Sequence, residues 1–421
     1  MAAELLDRIR FQPEKTLFDE IFERYGLEDI LRHHAESGAI ADSYDFVLST
    51  QLRLTPILAP RLCSLLAEVR ERLAFADPVD LFVAADASVN AFAMYSLGEG
   101  RPHVLSLTSG LVERMTDNEL RFVLGHEIGH LAYRHDKAGQ VFQALRPDPE
   151  TGANPMPPML ASRLDTWSRI AELSSDRAGL AAVGGSLEPS VATFFKLASG
   201  LGPEHLKFDI HAILTQLEDL QKAERRQFLS VFSHPVIPIR VKALQVYGEA
   251  GGKDAPADKL AAVDEQVAAI ARLMEFEVTK PLDVHARDFL LAGGLLAAHA
   301  DKDDIAEDQW TMLLEWLLPL CADPEAEVAK IVSFDQAREL LTTSTAWLRD
   351  NAGEERFALF RQLAHMVAID GHLSSGEQQF MKQVAEMLGI PPKGAVDTLY
   401  EVLSGYLQTK ATRRSPLVKG K

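Results

Sequence analysis

What this 421-residue chain has little of narrows its setting before any motif is considered. Cysteine occurs only as Cys63 and Cys321, far apart in sequence, which excludes a disulfide framework and fits a reducing compartment. The opening segment Met1-Ala-Ala-Glu-Leu-Leu-Asp7 has neither the basic nor the apolar region of a secretory signal, so a cytoplasmic location is expected. Apolar runs such as Phe289 to Ala298 stop well short of the roughly 20 residues a spanning helix needs, so no integral membrane segment is expected. Positive charge is in deficit: 43 Lys and Arg against 61 Asp and Glu give a formal net charge of −18, which repels phosphate and argues against nucleic acid as a partner. A 47% hydrophobic and 25% charged composition is that of a folded globular protein, with room for two domains or three small ones.

Against this plain background stands Leu124-Gly-His126-Glu127-Ile-Gly-His130. A helix turns 100° per residue, so histidines four apart project from one face, close enough for two imidazoles to hold one Zn²⁺. Glu127 sits beside that pair, placed to take a proton from water and return it to a leaving amine as a general base. The helix itself is legible: Thr116-Asp-Asn-Glu119 has the form of a capping box, and Leu120, Val123, Leu124, Ile128 and Leu131 supply a buried apolar face. Two histidines leave a catalytic zinc one protein ligand short. Glu172 and Asp176, four apart in the apolar helical segment Trp167 to Ala178, offer a third ligand and an acceptor for the second ring proton of a ligating histidine. The alternative is that these acids pair with Arg169 and Arg177.

Together the HEIGH run and Glu172-Leu-Ser-Ser-Asp176 resemble the HExxH and ExxxD pair of the M48 zinc metallopeptidases. Val89 to Ala93 and Val104 to Leu111 are similar to that family's strands before the active-site helix, and Ser233-His234-Pro235 with Arg240 to its late histidine-proline element. The resemblance implies one catalytic zinc held by His126, His130 and Glu172, with Glu127 as base. His234 is then a candidate donor to the oxyanion, and a turn residue otherwise. The β-rich runs Asp80 to Ala84 and His103 to Thr108 predict a small sheet, whose open edge would take an extended peptide through main-chain hydrogen bonds. Asn90, Ser106 and Thr108 are the candidate substrate-binding residues there, Asn90 also fitting a turn cap. The proline-rich stretch Arg146 to Pro158 is expected as a loop near the cleft, either a lid or a simple connection.

The first 60 residues suggest helices that serve as packing elements. Gly248 to Asp258 is rich in residues that cannot hold a helix, which places a linker at 251–259. Beyond it the chain is helical and repeats itself, Glu307, Trp310, Leu314, Leu317 and Leu318 matching Glu377, Phe380, Val384, Met387 and Leu388. The phrase Val367-Ala-Ile-Asp370-Gly-His-Leu-Ser-Ser-Gly-Glu377 resembles the signature of TerB-like tellurite-resistance domains, and Asp370 there either caps a helix or contributes to a cation site. The expected fold is α+β and predominantly helical. It comprises an N-terminal helical segment (1–60), a zincin-type metallopeptidase domain with a small sheet (61–250), a TerB-like bundle (260–409) and a basic tail (410–421). The expected function is zinc-dependent hydrolysis of protein or peptide substrates in quality control or stress response, with a possible protein partner at the bundle. The alternative is a non-catalytic adaptor that binds peptide or metal, with the TerB-like domain carrying a stress-response role.

Overall fold

The computed structural model describes residues 2–36, 41–96, 101–145, 156–222, 236–275, 278–300 and 304–412. The fold is mainly helical, with one four-stranded sheet among the described residues, in agreement with the expected class. The chain divides into two compact units, Met1–Glu275 and Phe276–Lys421.

The first unit begins with helices α1 (Ala2–Ile9), α2 (Gln12–Arg24), α3 (Leu27–Glu36) and α4 (Ala41–Thr50). Strand β1 (Leu52–Leu54), helix α5 (Pro60–Arg72), strands β2 (Val79–Ala84), β3 (Ala91–Met94) and β4 (His103–Thr108), and helix α6 (Ser109–Arg114) follow. It is completed by α7 (Asp117–Tyr133), α8 (Asp136–Ala144), α9 (Pro158–Ala182), α10 (Leu187–Ser199), α11 (Ile210–Lys222), α12 (Ile237–Glu249) and α13 (Ala257–Ala271).

The sheet order is β1-β2-β4-β3, with β2 and β4 parallel and both outer pairs antiparallel. Every residue of β4 is buried, because both sheet faces are covered. Leu81, Leu105 and Leu107 join the main core with α5 and α7, while Phe82 and Val104 pack on the other face against Val47 of α4. Strand β3 is left as an edge, with Phe92 41% exposed.

Helix α7 starts at the expected capping box: the Thr116 N–H donates to Glu119 Oε2 at 2.6 Å, and the Glu119 N–H to Thr116 Oγ1 at 3.4 Å. Lys196 of α10 adds a buried ion pair to the same carboxylate at 2.7 Å. The helix then packs tightly on α9. Glycine makes that approach possible. A Cβ on Gly125 would sit 2.4 Å from the Ala182 Cβ, and one on Gly129 3.0 Å from both the Ala178 Cβ and the Ser175 Cα. Gly179 answers from α9, where a Cβ would lie 2.8 Å from the Phe122 ring.

The segment 251–259 differs from the expected linker. Gly252–Asp254 forms a 3-10 turn, and α13 continues the first unit by burying Leu260, Val263 and Val267 in its core. Gly251 and Gly252 have φ of +114° and +58°, so these glycines serve a tight turn rather than a flexible spacer. The first 60 residues likewise belong to this unit, and Leu52–Leu54 pairs with β2 instead of extending a helix.

The second unit contains α14 (Pro281–Ala298), α15 (Glu307–Leu317), α16 (Pro324–Ala329), α17 (Phe334–Asn351), α18 (Glu355–Ala368), α19 (Ser375–Met387) and α20 (Pro392–Thr412). Helix α14 is its centre, burying Phe289 to Gly294 with Ala297 and Ala298 and packing on α15, α17 and α18. Its Gly294 admits Leu313 of α15, whose Cδ1 would lie 2.7 Å from an added Cβ. Helix α19 opens on a capping box between Ser374 and Glu377, so the helix cap is Ser374, while Asp370 Oδ1 accepts the His372 N–H at 2.8 Å within the preceding turn. Among the described residues, no helix is long and apolar enough to cross a membrane.

Candidate metal centre

The glycine-mediated contact between α7 and α9 sets one acidic turn of α9 against the histidine face of α7. His126 Nε2 and His130 Nε2 lie 3.0 Å apart, and Glu172 Oε2 and Oε1 approach them at 3.5 and 3.4 Å respectively. These three residues form a group whose ligand atoms all fall within 4.8 Å of one another. Two imidazole nitrogens and one carboxylate oxygen around a common point, with a cavity on one side, fit a zinc ion with one open coordination position.

The surrounding charges fit a cation as well. Asp176 Oδ1 lies 3.0 Å from His126 Nδ1, at the opposite side of the ring from Glu172. Arg240 of α12 holds both acids: its Nε and Nη2 donate to Asp176 Oδ2 and Oδ1 at 2.9 and 2.6 Å, and its Nη1 is 3.2 Å from Glu172 Oε2. Burial depresses the pKa of His126, but the facing Asp176 and Glu172 carboxylates outweigh it and push the value up to about 10. Burial together with neighbouring His126, His135 and Arg240 holds His130 well below its ordinary value despite Glu172. For Arg240 the two carboxylates outweigh burial and raise its pKa further. A carboxylate-rich pocket that pulls a proton onto a buried imidazole exerts the same attraction on a divalent cation.

Glu127 is buried at 7% exposure and lines a cavity of about 680 Å³ beside His126 and His130. Residues 89–93 form one wall of that cavity, bringing the β3 edge to the histidines, and Trp167, Leu197 and Ile237 form part of the other. Asn90 is on this wall; its Oδ1 accepts the Ala91 N–H at 2.9 Å and its own N–H donates to Thr108 Oγ1 at 3.0 Å.

Two expected substrate-binding residues are not brought to the cavity. Ser106 is 2% exposed and donates to Gln51 Oε1 at 2.5 Å, because strand alternation turns it to the α4 face with Phe82. Thr108 caps α6, accepting the Leu111 N–H at 3.3 Å and donating to Ser88 O at 2.6 Å, so its hydroxyl is consumed by the turn. His234 and residues 146–155 of the proline-rich stretch lie outside the described residues. The proposed pairing of the acids with neighbouring arginines on the same helix is replaced: Arg177 binds Asp264 at 2.6 Å, and Asp176 binds Arg240.

In the sequence Arg240 stands out only beside the late histidine-proline element, and His135 and Glu14 carry no assigned role. Arg240 shares a helix face with buried Leu244 and Tyr247, at the i, i+4, i+7 spacing, which was a signal available in the sequence. His135 and Glu14 also adjoin the centre, His135 Nδ1 at 2.9 Å from His130 Nδ1 and Glu14 Oε1 at 3.5 Å from His135 Nε2.

A histidine pair one helical turn apart, an acid from a second helix and a glutamate at the cavity make up a candidate metal site. Residues 56–147 match the sequence model of Peptidase family M48. The chain is 31% identical over 195 residues to the plastoglobule-localized metallopeptidase 48 of Arabidopsis thaliana, a match covering 43% of this chain and 54% of the relative. It is 44% identical over 62 residues to metalloprotease LoiP of Escherichia coli (strain K12), and 41% identical over 61 residues to metalloprotease YcaL of the same organism. Those matches cover 15% and 14% of this chain, and 22% of each relative. The chain thus spans about half the length of the first relative and about a fifth of the other two. No solved structure gives a significant match. The chain is thus similar to family M48 over residues 56–147, and to proteins named as metallopeptidases over part of its length.

Proposed function

We propose that the first unit is a zinc endopeptidase in which His126, His130 and Glu172 hold one Zn²⁺. The observation that carries this reading is the convergence of those three residues beside Glu127 at a cavity bordered by an open strand edge. Zinc bound there supplies a Lewis acid and lowers the pKa of water to about 7. Glu127 takes the proton of the attacking water on its carboxylate and returns it to the departing amine. Asp176 accepts from His126 Nδ1 and orients that ring, while Arg240 fixes both acids. The β3 edge, including Asn90, receives an extended peptide by main-chain hydrogen bonds, a mode largely indifferent to side-chain identity. His234, three residues before cavity-lining Ile237, donates to the developing oxyanion.

The second unit is proposed as TerB-like and as the contact for a protein partner, supported by the Asp370 turn before α19 and by the matched α15 and α19 residues. The relatives named as metallopeptidases support a proteolytic role, here placed in cytoplasmic quality control or stress response. Full-length zinc-loaded protein should degrade casein, and both chelator and Glu127→Gln should abolish this. Intact casein after incubation with zinc-replete wild type would favour the adaptor reading instead.

A further inference from the structure

We propose that His135 and Glu14 form a hydrogen-bonded relay that fixes the ring of His130, making the N-terminal helix α2 a working part of the metal centre. The inference rests on the zinc reading above. A histidine that ligates through Nε2 carries its remaining proton on Nδ1 and needs an acceptor for it. His126 faces a carboxylate at that position, but His130 faces another imidazole, with His135 Nδ1 at 2.9 Å. Accepting there obliges His135 to carry its own proton on Nε2. That buried nitrogen has no hydrogen-bond partner, and Glu14 Oε1 faces it at 3.5 Å.

Glu14 is equipped to end such a relay. It is fully buried and accepts from Arg10 Nε and Nη2 at 2.7 and 2.8 Å, from Trp167 Nε1 at 2.7 Å and from Ser174 Oγ at 2.8 Å. Four donors on one carboxylate keep it charged and immobile, so that it can hold the Nε2–H tautomer of His135.

The backbone delivers His135 deliberately. Helix α7 ends with Arg134 at φ +60°, a left-handed conformation that a non-glycine residue adopts only where the surroundings hold it. The His135 N–H then folds back to His130 O at 3.1 Å and the Arg134 N–H to Leu131 O at 3.2 Å, closing the helix and setting the two rings 5.0 Å apart at 77°. Trp167 meets the His135 ring edge-on at 5.5 Å, and Ser175 Oγ lies 3.3 Å from its Nδ1. Glu14 precedes the segment matched by the family model, which begins at residue 56.

The test compares His135→Asn with His135→Leu in the full chain, because the two side chains share a shape and differ in whether an acceptor stands at the Nδ1 position. Zinc affinity is read by competition with a chromophoric chelator, the visible spectrum of Co²⁺-loaded protein reports ligand geometry, and melting of the metal-free protein checks folding. His135→Leu should lose about 10- to 100-fold in zinc affinity and alter the Co²⁺ bands, with His135→Asn restoring both to near wild type. Glu14→Gln, which keeps size and removes charge, should fall between them. Equal zinc affinity and identical Co²⁺ spectra for folded Leu and Asn variants would overturn the relay, and Glu14→Gln indistinguishable from wild type would overturn the role of α2. Absence of zinc binding in wild type would instead refute the underlying zinc reading.

Discussion

The α7–α9 contact yields a sharp prediction, because its geometry sets both stability and metal affinity. In Gly125→Ala the new Cβ would sit 2.4 Å from the Ala182 Cβ and 3.1 Å from Ala178 O and the Gly179 Cα. Carbon pairs rest at about 3.5–4.0 Å, so the helices must part locally by roughly 1 Å or distort. Overpacking of this kind costs about 1–3 kcal/mol, and a clash with a rigid Cβ belongs at the upper end. Replacing a helical glycine returns about 1 kcal/mol, leaving a net loss near 2 kcal/mol. Gly139→Ala in α8 is the control, since nothing lies within 4 Å of its added Cβ, and it should gain about 0.5–1 kcal/mol. At roughly 2 °C per kcal/mol for a unit of this size, thermal melting of the metal-free protein separates the two signs. Adding Ala182→Gly to Gly125→Ala removes the shortest contact and should recover more than 1 kcal/mol. Displacing Glu172 from the histidines should also weaken zinc at least about tenfold, given a tolerance near 0.2 Å in ligand distance. If Gly125→Ala melts with Gly139→Ala and binds zinc like wild type, the close approach does not set the site.

Three further outcomes follow from the same structure. Arg240→Met removes the guanidinium that binds the buried Asp176 and Glu172 carboxylates, leaving them only His126 and His130, and should cost about 3 kcal/mol in metal-free protein, part of which zinc restores; unchanged melting would contradict the pairing. Glu14 is opposed by burial, but the hydrogen bonds from Arg10 and the facing His135 ring hold its pKa well below the usual 4.5. Its contribution to stability is therefore whole above pH about 4.5 and falls as acid protonates it, so acid unfolding of Glu14→Gln should have a shallower pH slope than wild type. Burial pushes the Cys321 thiol from 9.0 up to about 12, and about a thousandfold less thiolate at pH 8 means that Ellman's reagent should modify it only on unfolding.

Local chemistry was legible in the sequence, and tertiary chemistry was not. The α7 capping box, the apolar face and the histidine spacing are all settled within one turn or two of helix, and the acidic pair of α9 is recognisable for the same reason. Arg240 and Glu14 each sit on the apolar register of their own helix, Glu14 with Phe18 and Ile21, yet nothing in either helix says which distant group they meet. Ser106 and Thr108 do not line the cavity, and because β4 is covered on both faces, alternation offers no solvent-facing side by which the sequence could have placed them. Gly248 to Asp258 has the composition of a linker, but glycines chosen for positive φ in a tight turn have the same composition.

Crystals of zinc-loaded Glu127→Gln, measured for anomalous scattering across the zinc absorption edge, would locate the ion itself. One strong peak is expected, bonded to Nε2 of His126 and His130 at about 2.0–2.1 Å and to a Glu172 carboxylate oxygen at about 2.0–2.2 Å. A peak at other residues, or none at full zinc occupancy of the solution, would contradict the zinc reading.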